Sequence, residues 1–148
     1  MKTIGMLLAV IAAGLCITAV SIAGGDRQTL VPPPDAAAES FARALMQGRY
    51  DPAARHLSKG LETSAGRDHL RAWFDPIRQR LGQSHTVEAA VEWMLGNEAA
   101  ARALVDARYG TVVLHLRMIR EHGLWVIDEL PADVPVGITS RVLSGVLR

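Results

Sequence analysis

Histidines are the side chains best suited to hold a metal or move a proton near neutral pH, and the chain has five: His56, His69, His85, His115 and His122. They are scattered, with no H-x-x-x-H pair and no cysteine or carboxylate cluster beside them, so the spacing predicts no metal site. His115 falls in mid-strand, where its neighbours Val113 and Arg117 imply a mixed, solvent-facing surface. Carboxylates offer a second chemistry: Asp106 and Tyr109 share one candidate strand, and Asp128 and Glu129 share another. A carboxylate meeting a phenol inside a closed cavity would do general acid-base work if burial shifted its pKa. Aromatic rings offer a third. Trp73, Tyr109 and Trp125 are the candidate ligand-binding residues, since pockets are largely apolar with a few polar groups, whereas Phe74 and Trp93 are expected in the core. The sole cysteine, Cys16, lies in an apolar leader, which leaves the domain without a thiol for a disulfide, a nucleophile or a thiolate site. No cofactor is expected.

The elements that must position these residues begin after residue 34. Asp35 reads as a cap for a helix ending at Gly48, with Ala38, Phe41, Ala42 and Leu45 on one face. Asp51-Pro52 opens a short second helix that Gly60 ends, and a third starts between Ser64 and Arg67 and carries Leu70, Trp73, Phe74, Ile77 and Leu81, with Pro76 kinking it. The period then shortens to two. Val87, Ala89, Val91 and Trp93 alternate with Glu88 and Glu92, and after Gly96-Asn97 the positions Ala101, Ala103, Val105, Ala107 and Tyr109 alternate with Arg102, Asp106 and Arg108. The Ala-rich stretch has helical propensity as well; strand is the reading adopted. Val112, Leu114, Leu116 and Met118 mark a third strand, and Leu124 to Leu130 a fourth. Short connections require antiparallel neighbours, so the fold class is α+β: an N-terminal apolar helix, then about three helices packed on a curved four-stranded antiparallel sheet.

The chain has 148 residues, 49% hydrophobic and 21% charged, with a formal net charge of +1. Such a balance gives no field for attracting polyanions, so nucleic acid is not an expected partner. Residues 4–23 pass without a charge, twenty positions in all, and a helix of that length matches the ~30 Å hydrocarbon thickness of a bilayer. Lys2 precedes the run and Arg27 follows it, a small asymmetry that places the bulk of the chain outside the cytoplasm. Ser21-Ile22-Ala23 offers small residues to a signal peptidase, so a retained anchor and a cleaved signal both stay open. Arginine outnumbers lysine fourteen to two, a usage that points to a GC-rich bacterial genome. The domain reading is therefore 1–25 signal peptide or transmembrane anchor, 26–34 Pro-rich linker, 35–131 α+β domain and 132–148 C-terminal tail.

The segments AESFARALMQGRYDPAARHLS and AAARALVDARYGTVVLHLRMIREHGLWVIDEL, within residues 35–131, resemble the nuclear-transport-factor-two-like (SnoaL-like) superfamily of cone-shaped α+β domains, and within it small membrane-anchored or secreted bacterial members. The resemblance implies a cone-shaped sheet, and in enzymatic relatives such as steroid isomerases and polyketide cyclases an acid or base sits within it. No motif of this sequence carries those residues over one by one. Two functions are thus expected as alternatives. One is a non-catalytic domain at the bacterial cell envelope, inner-membrane-anchored or secreted, binding a small apolar ligand or another envelope protein, with a homodimer through the open sheet face as a further expectation. The other is a small isomerase or cyclase using a buried carboxylate, which requires Asp106, Asp128 or Glu129 to face an enclosed cavity.

Overall fold

The computed structural model describes residues 31–134 and 136–138; the apolar run 4–23 and most of the tail lie outside the described residues. No helix among the described residues is long and apolar enough to cross a membrane. The first helix, α1 (Pro34–Met46), begins with a proline at its first position, where the missing N–H costs no hydrogen bond. Asp35 therefore sits inside the first turn, favourably placed for the helix dipole, while Pro33 is the N-cap residue. Ala38, Phe41, Ala42 and Leu45 are all fully buried, as their spacing requires. The short α2 (Tyr50–Ala54) starts one residue ahead of the Asp51-Pro52 signal.

Helix α3 (Lys59–Leu81) starts earlier than its sequence pattern implies, because Ser58 caps it by accepting a hydrogen bond from the Leu61 N–H at 3.2 Å. Its true interruption is Gly66, at φ 44 and ψ −171, and not Pro76, over which the helix continues. Leu70, Phe74 and Leu81 are its buried residues.

Four strands, β1 (Ser84–Leu95), β2 (Glu98–Ala107), β3 (Gly110–Glu121) and β4 (Leu124–Glu129), form an antiparallel meander in sequence order. Ala-rich β2 is a strand because its neighbours hydrogen-bond it on both sides, and tertiary pairing overrides alanine's helical preference. Its inner residues Ala99, Ala101 and Ala103 stand beside Met118, Leu116 and Leu114 of β3, and all six are essentially inaccessible. Small side chains on β2 and on α1 let the helix lie close across β1 and β2. A short β5 (Val136–Ile138) pairs with Gly110–Val112 on the edge of β3 that β4 occupies further along, so β4 and β5 are two pieces of one interrupted edge. The sheet is open and not strongly curled, short of the cone that the family resemblance implies.

Trp93 departs from expectation. The β1–β2 register slips between Val91 and Trp93, so that Val91 faces Ala101 but Trp93 faces Ala100. One extra residue at Glu92 turns Trp93 to the outer face of the sheet, where it is 47% exposed instead of buried in the core.

Candidate functional site

A cleft with largely apolar walls opens between the start of α1, the segment after α2 and the start of β4. Its volume is about 470 Å³, within the ~300–1,000 Å³ range of small-molecule sites. Pro32, Ala36 and Ala37 form one wall, Leu124, Trp125 and Val126 the other, and Ser40, Arg55 and His56 supply the polar groups. Among the described residues no carboxylate lines it.

Backbone bonds fix this geometry. Helix α2 stops at Ala54, and the next residues extend alongside β4: the Ile127 N–H donates to the His56 carbonyl and the Ser58 N–H donates to the Ile127 carbonyl, each at 2.7 Å. Leu57 bridges Ile127 in parallel and is buried, which sends His56 to the opposite side of the backbone, into the cleft. Burial pushes the His56 pKa below its ordinary 6.5, which favours the neutral ring. The site thus offers a flat indole, aliphatic walls, a half-buried imidazole and an exposed guanidinium, a set that suits a small apolar molecule with one polar or anionic end.

The three aromatic candidates do not converge. Trp125 is 9% exposed and lines the cleft. Tyr109 lies in the β2–β3 turn, roughly 30 Å away along β3 at ~3.4 Å per residue. There its ring covers Gly82 and the Arg108 guanidinium stacks over it at 5.2 Å. Trp73 is half-buried on α3 with its ring 5.5 Å from that of Phe74.

The carboxylates are placed elsewhere. Asp106 is exposed on the outer face, and Asp128 is half-buried at the register shift of β4. Glu129 shares with His115 and Arg117 an open notch of about 340 Å³, at the gap between β4 and β5. Its side chain is 69% exposed and 3.8 Å from Arg117, while His115 instead meets Glu92 at 3.3 Å. No group of three potential metal ligands occurs among the described residues.

A polar network outside the cleft has a structural role. The Tyr50 hydroxyl donates to Asp75 at 2.9 Å, and Arg78 donates to the same oxygen at 2.8 Å. Arg78 first, then Tyr50, hold Asp75 below the usual carboxylate range, and burial together with Asp75 raises the Tyr50 pKa. The network ties α2 to α3.

Sequence reasoning missed Arg55 and His56 as site residues because they read as the end of a helix. The only signal for them is their place between the Asp51-Pro52 start and the Ser58 cap, where the chain has no helical requirement left. No protein-family model matches the chain, and no curated protein matches it.

Proposed function

We propose that this chain is a non-catalytic binding domain of the bacterial cell envelope, held at the outer face of the cytoplasmic membrane by residues 4–23, and that the Trp125 cleft is its ligand site. The observation that carries this reading is the character of the cleft: apolar walls, a half-buried imidazole and a guanidinium, with no carboxylate among the described residues that line it. The apolar run of twenty residues supports the tether. The order of three helices and then an antiparallel meander supports divergent membership of the nuclear-transport-factor-two-like superfamily, from which the weak curl of the sheet departs. The isomerase or cyclase alternative finds no support in the placement of Asp106, Asp128 and Glu129.

Naphthalene-1-sulfonate, a flat apolar ring system with one anionic group, is the probe of choice. Titrated calorimetrically against the full chain in lipid nanodiscs, it is expected to show saturable one-to-one binding. Trp125→Ala removes that component, and Arg55→Gln weakens it about tenfold, as the loss of one charge-assisted hydrogen bond of ~1.5 kcal/mol implies. Equal heats for all three proteins would reject the cleft as a ligand site.

A further inference from the structure

The exposed apolar side chains are concentrated at one pole of the domain. Both the β1–β2 turn and the β3–β4 turn lie there, since Glu98 pairs with Ile119 and the Arg120 N–H donates to the Asn97 carbonyl at 2.8 Å. At the first turn Trp93, Met94 and Leu95 are 47%, 60% and 79% exposed, and at the second Leu124 is 54% exposed. Met94 is informative: its row neighbours Ala99 and Met118 are fully buried, so the helical layer covers β2 and β3 at this height but leaves the tip of β1 bare. Among the described residues nothing covers either face of this tip, and apolar groups on both are not explained by the fold of the domain.

The chain enters the domain at this same pole. Pro32 shares the cleft with Leu124, and Val31 and Pro33 are exposed. Only seven residues, 24–30, separate Val31 from the end of the apolar run at Ala23. Even fully extended at ~3.3 Å per residue they span roughly 25 Å, so a chain held by residues 4–23 keeps this pole close to the bilayer. Charge agrees with that placement: Glu92 and Glu98 are engaged by His115 and Arg117 on the outer face, residues 93–97 carry no charge, and Arg120 is exposed between the two turns. Trp and Leu at a polar–apolar boundary are the side chains suited to lipid headgroup depth.

We infer that the Trp93–Leu95 tip docks into the surface of the membrane that holds the chain, fixing the domain's orientation on the bilayer. The inference rests on the tethered reading above. A short tether makes the docking intramolecular, so a contact too weak to bind free lipid is still populated.

The test reconstitutes the full chain in vesicles of phosphatidylethanolamine and phosphatidylglycerol, with and without brominated acyl chains, and reads tryptophan emission. The Trp93 contribution is the part missing from Trp93→Phe, and the expected result is that brominated chains quench it. Leu95→Asp, at a turn position too exposed to endanger the fold, should reduce that quenching severalfold. Chain that floats with the vesicles while Trp93 stays unquenched overturns the docking and leaves the tether standing. Trp93 shielded from aqueous acrylamide yet unquenched by bromine means that protein, for instance a second copy, covers the tip, and also overturns it. Failure to float with the vesicles removes the tether, and the docking with it.

Discussion

His56 links folding to pH through its burial. Desolvation disfavours its charged form, so the folded-state pKa lies below the unfolded value of about 6.5. Between those two values the unfolded chain binds the extra proton, and stability therefore rises with pH and is lost as pH falls through the unfolded pKa. Denaturation midpoints measured from about pH 7 to 5 should decline in the native protein and decline less in His56→Gln, which removes the titrating ring. Parallel declines would mean that the ring is not desolvated. Asp75 is shifted in the same direction for a different reason, stabilisation of its charged form by Arg78 and then Tyr50, and the slope is the same: its lowered pKa adds stability above the ordinary carboxylate range, lost progressively as pH falls from that range through the lowered value. The two groups thus act in separate windows, His56 near neutrality and Asp75 in acid.

The ends of the elements depend on backbone conformations that few residues adopt. Gly82 ends α3 at φ 73 and ψ −154, and a Cβ built there would lie 2.9 Å from Cδ2 of Tyr109. Gly96, in the β1–β2 turn, has φ 58 but open space around it. Gly82→Ala should therefore cost more than Gly96→Ala, on the order of 1–3 kcal/mol against about 1 kcal/mol, since only the first adds displacement of the Tyr109 ring to backbone strain. Thermal melting of the two variants checks the order. Elements are also where the reach of the sequence is clearest. The spacing of Phe41 and Leu45 and the alternation of Leu114 and Leu116 identify α1 and β3, because burial on one face imposes a period. The slip at Glu92 leaves no such mark: Val91 and Trp93 keep a strand's alternation in sequence, and only pairing with β2 shows that one residue is extra. His56 was illegible for a related reason, since the partner that holds it, Ile127, is supplied by a strand seventy-one residues later.

At the scale of the whole domain, helices and sheet share one core. Phe41 of α1, Phe74 of α3 and Leu114, Leu116 and Met118 of β3 belong to the same buried cluster. Truncating Phe41 to alanine is expected to cost about 3–5 kcal/mol. Because the core is continuous, the loss should lower the stability of the sheet by the same amount, seen as coincident shifts in circular dichroism and in amide exchange of β3. A loss confined to helical amides would mean that the two layers unfold separately. The bonds joining residues 56–58 to Ile127 also set an order of events during biosynthesis. Chain made from its N-terminus produces all three helices before any strand exists, with Phe41, Leu45 and Phe74 lacking the sheet that covers them. Their apolar faces stay wet until β1 to β3 emerge and begin to cover them, and the cleft beside Trp125, which needs β4, is among the last features to form, so the helical half exposes its apolar surface through most of synthesis.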